Sequence, residues 1–372
     1  MYYYMRIEVR SSGLKGHGRR QMRDLKYRIG IVGFGGMGNW HREIIETIDG
    51  VEVAGIYDID EARISYAKEC KIHTYNSLED MLEDSSLDLV LIATPNQDHN
   101  PIAIQAMRAG KHVICEKPVT MNADELDQLM KVAEETGAFF TVHQNRRWDE
   151  DFLTIKEVIE SKRLGEVFRI ESRVHGSRGI PGDWRQEKEC GGGMVLDWGV
   201  HLLDQIFLIM GDKKLEKVYA TLTNITNQVV DDGFTAHLIF ETGLEAVVEV
   251  GTSNFISLPR WYVLGQDGTA IIEGWNMDGK VVRAVGKSED DIVPVRTAAG
   301  ITKTMAPRRD DTICSEELPL VKSDVRDFYF NVIDVLNGKD ESKIKLDEVM
   351  RVMRLMEAIF ESANSKTVID FE

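Results

Sequence analysis

The hydrophobic positions divide the chain into two parts with different rhythms. Between residues 27 and 148, short apolar runs of strand type, at 28–32, 51–57, 72–75 and 87–93, alternate with stretches of helical periodicity. Strands that alternate with helices at this spacing predict a parallel, doubly wound sheet. Ligands of such sheets bind beyond the carboxyl ends of the strands, so the loops that follow the strands are the expected site.

After residue 148 the rhythm changes. A helical stretch is followed by strand-like runs with short turns between them, among them Glu241-Thr-Gly243 and Gln266-Asp-Gly268. Consecutive strands with short turns predict a mostly antiparallel sheet. Residues 286–318 are polar and irregular and predict a long loop, and 323–337 and 346–362 predict two closing helices. We therefore expect a doubly wound N-terminal domain at 27–148 and a C-terminal α/β domain at 149–372.

The first 26 residues differ from the rest of the chain. They are basic, poor in packing residues and without the apolar core of a secretory signal, so we expect residues 1–26 to form a flexible tail. A nucleic-acid-binding arm is the alternative for this stretch. No apolar run approaches the roughly 18 residues of a membrane span, so we expect no membrane partner.

Composition narrows the class of partner. Lys plus Arg number 45 against 62 for Asp plus Glu, which gives a net charge of −17 and argues against a nucleic-acid or anionic-membrane partner over most of the surface. The four cysteines are scattered without a C-x-x-C pair, which is typical of free thiols in a reducing compartment. We therefore expect a cytoplasmic protein.

The strongest motif follows the first strand. Gly33-Phe-Gly35-Gly-Met-Gly38 fits G-x-G-x-x-G, a helical pattern begins there, and Asp58 ends the next strand run twenty residues after Gly38. Such a loop allows a pyrophosphate to lie on the helix N-terminus, and the acid can accept hydrogen bonds from the adenosine ribose while repelling a 2′-phosphate. This predicts NAD rather than NADP as the cofactor. The alternative is a glycine turn that only packs. The predicted cofactor contacts here are Gly33, Gly35, Gly36, Met37, Gly38 and Asp58.

Three further clusters carry chemistry. Glu116-Lys117-Pro118 follows a strand, so its lysine can hydrogen-bond a substrate oxygen; a surface ion pair is the alternative. Trp184-Arg185 offers a flat face and a fork of donors, and equally fits the rim of a loop.

The third cluster is the stretch 191–204, in which Asp197 and His201 share one helix face and Asp204 follows at i+3 from His201. An acid beside a histidine suits general acid–base chemistry, while a partly buried structural pair is the alternative. A zinc site lacks an obvious third ligand, so we expect no metal.

The order of these motifs resembles one family. The glycine fingerprint is followed by Ala93-Thr-Pro-Asn96 with His99, and then by the three clusters in turn. This order is similar to that of the Gfo/Idh/MocA oxidoreductases, which include glucose–fructose oxidoreductase and inositol dehydrogenases. The resemblance extends from about residue 27 to the last helix and is most specific in the first 205 residues. It implies a Rossmann domain followed by an α/β domain with a large open, mostly antiparallel sheet, whose outer face often forms a homodimer or homotetramer interface.

The resemblance also implies residue roles. Lys117, Asp197 and His201 match the catalytic lysine, aspartate and histidine of the family. His201 is expected to take the proton from a substrate hydroxyl, Lys117 to hydrogen-bond the same oxygen and to share the proton relay, and Asp197 to orient substrate and histidine. The sequence does not decide how the proton is divided between Lys117 and His201. The implied cofactor contacts beyond the glycine loop are Thr94, Pro95, Asn96, His99, Glu116, Lys117, Arg146, Trp184 and Arg185.

The resulting hypothesis is an NAD-dependent dehydrogenase that interconverts a secondary alcohol and a ketone on a small carbohydrate, cyclitol or polyol. Two alternatives keep the same fold: an enzyme that uses NAD only transiently, for elimination or hydride shuttling, and a non-enzymatic sensor, which should lack the Lys117, Asp197 and His201 set. A metal-dependent hydrolase is a third and weaker alternative. The candidate residues for the substrate pocket are Arg173, His175, Arg178, Trp198 and Trp261.

Overall fold

The computed structural model describes residues 26–285 and 292–371. The tail predicted at residues 1–26 therefore lies, apart from Lys26, outside the described residues, as does the segment 286–291 of the predicted long loop.

The first part of the chain forms a parallel five-stranded sheet. Its strands are β1 (Tyr27–Val32), β2 (Val51–Tyr57), β3 (Leu89–Ile92), β4 (His112–Cys115) and β5 (Phe140–Val142). Its helices are α1 (Gly36–Ile45), α2 (Glu61–Glu69), α3 (Leu78–Glu83), α4 (His99–Arg108) and α5 (Ala123–Thr136). The strand order is β2-β1-β3-β4-β5, and every adjacent pair is parallel. The chain leaves β1 and β3 in opposite directions along the sheet, and a crevice of this kind is where doubly wound sheets bind ligands.

Local signals place the helix starts. The oxygen of Ser77 accepts a hydrogen bond from the backbone of Asp80 at the start of α3, and Asn122 does the same for Glu125 at the start of α5, which satisfies donors that the first turn leaves free. The short strand predicted at 72–75 is wrong. The backbone N–H of Ile72 still closes the end of α2, and only one bridge, from Thr74 to β2, remains.

The second part forms a nine-stranded sheet. Its strands are β6 (Val167–His175), β7 (Leu215–Thr223), β8 (Gly233–Phe240), β9 (Glu245–Gly251), β10 (Trp261–Gly265), β11 (Gly268–Ile272), β12 (Gly279–Ala284), β15 (Ile313–Glu316) and β16 (Ile369–Asp370), while β13 (Val295–Thr297) and β14 (Gly300–Thr302) form a separate hairpin. The order is β15-β12-β11-β10-β6-β9-β8-β7-β16. The pair β6–β9 is parallel and the other pairs are antiparallel, so the sheet is mixed but mostly antiparallel, as predicted.

Helices cover one face of this sheet. They include α6 (Glu150–Glu160), α7 (Val200–Met210) and α9 (Leu346–Ser365). Helix α8 (Arg326–Leu336) instead contacts His41 and His143 of the first part, through Tyr329 and Phe328. Along β8, Phe234, Ala236, Leu238 and Phe240 are buried, whereas the residues between them are less so, which gives the alternation of a sheet covered on one side. Helix α9 contacts β7 and also α5 and β5, so it packs against both sheets. Within the part of the chain that the structure describes, no helix is long and apolar enough to cross a membrane.

The edge of the second sheet departs from the prediction. The segment predicted as an irregular loop at 286–318 contributes β13, β14 and β15, and β15 pairs with β12, which the pattern also missed. β15 is the short edge strand and β12 lies next to it, and Val281 is the only fully buried side chain of β12. Arg283 and Glu316 form an ion pair across them. Polar edge strands of this kind lack the apolar alternation on which the prediction depends.

Candidate active site

The glycine loop adopts a conformation that side chains would prevent. Gly33 has φ +86°, and a Cβ there would lie 2.7 Å from the carbonyl oxygen of Ala93. A Cβ on Gly38 would lie 2.0 Å from the carbonyl oxygen of Gly33, so this position lets α1 pack against β1. Helix α1 begins at Gly36 without a side-chain cap and without an acid in its first turn. Its free N–H groups can therefore receive a pyrophosphate.

Asp58 lies beside this loop. One of its carboxylate oxygens accepts a hydrogen bond from the backbone of Phe34 at 2.5 Å, and the other accepts one from Asp60 at 2.8 Å. The predicted ribose acceptor thus also holds the glycine loop. A cation lies further along α2, where Arg63 is 4.0 Å from Asp60. The sequence reasoning considered only the two residues after Asp58 and did not include Arg63.

The loop after β3 is fixed by its own predicted site residues. The Asn96 side chain donates to the carbonyl of Gly191 at 2.8 Å, and His99 bridges the carbonyls of Pro118 and Thr94 at 2.9 and 3.0 Å. Both side chains are buried. They therefore join the loops around the cleft and position the backbone there, and Pro95 begins the short 3-10 turn Asn96–Asp98 between them.

Two of the three predicted catalytic residues meet directly. The Lys117 Nζ donates to the backbone oxygen of Asp197 at 3.1 Å and to its Oδ1 at 3.3 Å, and the Nε of Arg185 lies 3.5 Å from Oδ2. Burial raises the pKa of Asp197, but Lys117 and Arg185 outweigh it, so its pKa is lowered overall. Asp197 is therefore a carboxylate at neutral pH. The Lys117–Pro118 peptide bond is cis.

A residue that the sequence reasoning missed supports Asp197. The segment Val195–Gly199 is a π-helical turn that leads into α7, and Asp231 caps its start by accepting the backbone N–H groups of Met194 and Val195, both at 2.8 Å. Burial raises the pKa of Asp231 to about 7. A Cβ on Gly193 would lie 2.3 Å from Asp231 Oδ1, which explains a glycine there. The only sequence signal that could have indicated a distant cap was the absence of a capping residue at the start of this helix, where Met194 stands.

His201 lies one turn further along α7. It is 4% exposed, and its ring centroid is 5.9 Å from that of Trp198. Its Nδ1 is buried and makes no hydrogen bond to any described residue. Burial, followed by the charges of Lys117 and Arg146, holds the pKa of His201 well below its ordinary value, so the ring is neutral at neutral pH. The predicted Asp197–His201 contact is not formed among the described residues, because Asp197 pairs with Lys117 and Arg185 instead.

Comparisons with known proteins identify the family of the chain. Residues 27–144 match the model of the Gfo/Idh/MocA oxidoreductase family, described as an NAD-binding Rossmann fold, and residues 152–271 match the model of the Gfo/Idh/MocA C-terminal domain. This chain belongs to the Gfo/Idh/MocA family of oxidoreductases.

Three relatives illustrate the match. The chain is 28% identical over 360 residues to the scyllo-inositol 2-dehydrogenase (NADP(+)) IolW of Bacillus subtilis, covering 95% of this chain and 98% of the relative. It is 29% identical over 232 residues to a myo-inositol 2-dehydrogenase of Thermotoga maritima, covering 60% of this chain and 67% of the relative. The crystal structure of an NAD-binding protein from Listeria innocua superposes with a TM-score of 0.91 at 46% identity, over 93% of this chain and all of that one.

In this Gfo/Idh/MocA oxidoreductase, Glu116 points into the protein rather than towards the cleft. Its Oε1 receives hydrogen bonds from His41 Nε2 and His143 Nδ1, both at 2.8 Å, and its Oε2 receives one from the backbone of Lys117 at 3.0 Å. The hydroxyl of Tyr329 contacts the other nitrogen of His41. Burial raises the pKa of Glu116, and the two histidines more than offset this, so that its pKa is well below the ordinary value.

These residues are also the buried group in the described chain that could ligate a metal ion. His41, Glu116 and His143 each offer one donor atom, and the atoms lie within 4.8 Å of one another. However, both nitrogen–oxygen distances are those of hydrogen bonds, and histidines that donate to a carboxylate satisfy the contacts. We therefore interpret the group as a hydrogen-bond cluster that supports Lys117.

The other predicted residues divide between the cleft and elsewhere. The guanidinium of Arg146 lies 4.2 Å above the ring of Trp198, and that of Arg185 lies 4.6 Å from the ring of Trp184, so these two pairs lie near Asp197 and His201. The pocket predictions for Trp261 and Arg173 are wrong. Trp261 is fully buried and donates to Asp151, because its strand position faces the helices.

Arg173 and His175 lie on the opposite face of β6. Arg173 pairs with Glu171 and Glu249, and His175 also contacts Glu249. Side chains at alternate positions of a strand point to opposite faces, and the positions between these face the helices. The charges on the outer face therefore neutralise one another instead of lining the cleft. Arg178 is exposed in the loop after β6.

Proposed function

We propose that this protein is an NAD-dependent dehydrogenase that interconverts a secondary alcohol and a ketone on a sugar, cyclitol or polyol. The observation that carries the proposal is the contact of Lys117, at the carboxyl end of β4, with Asp197, while His201 lies one turn further along the same helix. A lysine, a carboxylate and a neutral histidine beside a dinucleotide loop form a set suited to proton transfer.

The residues present fit a dinucleotide. The glycine loop leaves space at Gly35 and Gly36, where a Cβ would meet no atom within 4 Å, and the N-terminus of α1 is free to bind phosphate. Asp58 would accept hydrogen bonds from the adenosine ribose. A bound nicotinamide supplies the hydride acceptor of the reaction.

The side chains then divide the proton chemistry. Neutral His201 accepts the proton of the substrate hydroxyl, and Lys117 donates a hydrogen bond to the same oxygen. Asp197 fixes the ammonium of Lys117 through the 3.3 Å contact with Oδ1. In the reverse direction His201 returns the proton to the carbonyl oxygen, so the same set serves reduction.

Cofactor preference is part of the proposal. Asp58 stands where a 2′-phosphate would be repelled, which favours NAD. The relative IolW carries NADP(+) in its name, so the family alone does not decide the cofactor. Arg63 is the first cation after Asp58 in the sequence, and it pairs with Asp60. Asp58 is the acid that directly follows β2.

The relatives and the sheet topology support two further parts of the proposal, namely the class of substrate and the domain and oligomer arrangement. The two inositol dehydrogenases support a cyclitol or related polyol as substrate. We also place a domain boundary between residues 148 and 149, which the two family matches flank, and we propose a homodimer or homotetramer through the outer face of the nine-stranded sheet.

The test is the rate of cofactor reduction, followed at the NADH absorbance band, with a panel of inositols, aldoses and anhydrosugars and with NAD and NADP in parallel. Turnover with NAD on one ring-shaped polyol is expected. Silence across the panel while NAD binds by calorimetry would refute a freely exchanging dehydrogenase, and a nicotinamide cofactor retained through purification would then favour transient oxidation.

Variants assign the roles. Lys117→Met and His201→Asn should each lower kcat by roughly 10² or more with an unchanged Kd for NAD, because each removes a group that acts on the transferred proton. The matched controls are Lys131→Met, on the exposed side of α5, and His73→Asn, at the edge of the first sheet, which should retain normal rates. Rates near normal for Lys117→Met or His201→Asn would remove that residue from the mechanism.

A further inference from the structure

An exposed tryptophan lies near the proposed catalytic residues. Trp275 is in the connection between β11 and β12 and is 55% exposed. Its ring centroid is 5.9 Å from that of Trp198, which in turn is 5.9 Å from that of His201. Tryptophan is strongly buried on average, so a half-exposed indole that is joined to the proposed base through Trp198 requires a reason.

Two arginines lie close to this aromatic pair. The guanidinium of Arg146 lies 4.2 Å from the ring of Trp198 and 5.5 Å from that of Trp275, and the guanidinium of Arg260 lies 5.6 Å from Trp275. Arg260 is buried and is held by Ser172 and Gln205 at 2.7 and 3.0 Å. These cations lie within cation–π distance of the two rings and hold them in place, and the exposed surface of Trp275 is an apolar platform beside them.

The charges around this platform are paired. The cations are Lys117, Arg146, Arg185 and Arg260, and their partners are Asp197 at 3.3 Å, Asp149 at 2.8 Å, Asp183 at 2.8 Å and Asp151 at 2.9 Å, respectively. Four positive charges therefore face four negative charges. A substrate phosphate or carboxylate would have to displace one of these carboxylates, whereas neutral hydroxyl groups need displace none.

We propose that Trp275 and Trp198 form one wall of a substrate subsite that binds a neutral, ring-shaped polyol by its C–H face and discriminates against phosphorylated and carboxylated sugars. The inference rests on the proposed function, because it uses His201 to mark the reacting end. An indole offers a flat apolar face with a polar edge, and binding sites combine such faces with a few placed donors. Here Arg146 is the donor nearest to both rings.

The first experiment compares Trp275→Ala, Trp275→Phe and the control Phe168→Ala. Phe168 is a similarly exposed aromatic residue near the start of β6, at the other end of that strand from His175. With the best neutral polyol of the panel, Trp275→Ala should raise KM roughly tenfold while kcat changes less than about threefold, since the lost face binds substrate and transition state alike. Trp275→Phe should recover most of the loss, and Phe168→Ala should match the unaltered protein.

The second experiment compares charge at constant ring shape, with glucose, glucuronate and glucose 6-phosphate as probes. We expect both charged sugars to show kcat/KM at least about tenfold below that of glucose. A preference for either charged sugar would overturn the charge argument. An unchanged KM in Trp275→Ala would refute the role of Trp275 as a wall of the subsite. A change of oligomeric state in this variant, measured by light scattering, would also refute that role.

Binding separates this inference from the reaction. Calorimetric titration of myo-inositol into the NADH-loaded protein measures the subsite without turnover. Binding that weakens in Trp275→Ala would support the subsite even if no oxidation of any polyol is detected, in which case the proposed function alone fails. Equal binding by the unaltered protein and Trp275→Ala would refute the subsite even if the dehydrogenase activity is confirmed.

Discussion

Replacing Asp204 separates structural from chemical roles within the 191–204 motif. Asp204 follows Asp197 and His201 along α7, yet its carboxylate accepts two hydrogen bonds from Arg147, at 2.8 Å from Nε and 2.6 Å from Nη2. Both residues are buried. Arg147 belongs to the turn after β5, so the pair ties the first sheet to α7. Asp204→Ala should therefore cost stability rather than catalysis.

The magnitude follows from what the substitution leaves behind. Removing one partner of a buried ion pair costs about 3–5 kcal/mol of the free energy of unfolding, because the other charge remains buried without compensation. Arg147 keeps two contacts, with Glu348 at 2.6 Å and with the carbonyl of Lys343 at 3.1 Å. Glu348 is 40% exposed and screens only part of the charge. We therefore expect a loss near the lower limit, about 3 kcal/mol.

The assay is urea unfolding followed by tryptophan fluorescence, with kcat and the Kd for NAD measured on the folded protein at low temperature. Asp204→Ala should lose about 3 kcal/mol and keep kcat within roughly threefold. Asp197→Ala should show the opposite pattern, a kcat lowered by roughly 10² with a smaller loss of stability. The double variant Arg147→Met/Asp204→Leu should regain most of the stability, since it leaves no buried charge unpaired at this site.

Two results would refute this reasoning. A stability for Asp204→Ala within about 0.5 kcal/mol of the unaltered protein would mean that the Arg147 pair contributes little. A kcat reduced as strongly as in Asp197→Ala, with normal stability, would place Asp204 in the proton chemistry.

The remaining predictions concern the cofactor, pH and metal. Asp58→Ala should reduce the ratio of NAD to NADP affinity by about tenfold or more, measured by calorimetry with both cofactors, since it removes the ribose acceptor. The variant Asp58→Asn keeps an acceptor for the backbone of Phe34 and so controls for damage to the glycine loop. An unchanged ratio in both variants would contradict the ribose assignment. Burial lowers the pKa of His41 to about 4, so this histidine stays neutral in the folded state but takes up a proton in the unfolded state below about pH 6.5. The free energy of unfolding should therefore fall as pH decreases from 6.5 towards 4, by about 3 kcal/mol from this residue. A urea midpoint independent of pH in this range would refute the assignment. Dialysis against EDTA should leave the Tm within about 1 °C of its original value, whereas a larger fall, reversed by zinc, would show that His41, Glu116 and His143 hold a metal ion.

Periodicity predicted most of the regular structure. The predicted run 51–57 has the observed bounds of β2, and the predicted run 28–32 lies within β1, because each is largely apolar and ends at a clear turn signal. The sheet edge at β12 and β15 was missed, since edge strands bury one face poorly and carry polar residues. The glycine loop was predictable because all the residues that define it lie within one short segment.

The missed parts of the site are long-range contacts. Asp231 caps a helix that begins 37 residues earlier, and the contacts of Glu116 with His41 and His143 join segments 75 and 27 residues apart. A single sequence shows which residue types are present, but not which side chains the fold brings together. For this reason Glu116 was predicted as a cofactor contact, while the structure places it in a buried cluster.

The position of Lys117 follows from contacts on two sides. From the first sheet, the Glu116 carboxylate accepts the backbone N–H of Lys117 and is itself held by two buried histidines. From the second part of the chain, Asp197 accepts from Nζ, and Asp231 fixes the helix start that carries Asp197. The lysine is thus correctly placed only when both parts are folded and docked, which is also what the Arg147–Asp204 pair secures. Substitutions that loosen the docking should therefore lower kcat before they abolish cofactor binding, because the glycine loop and Asp58 belong to the first part alone.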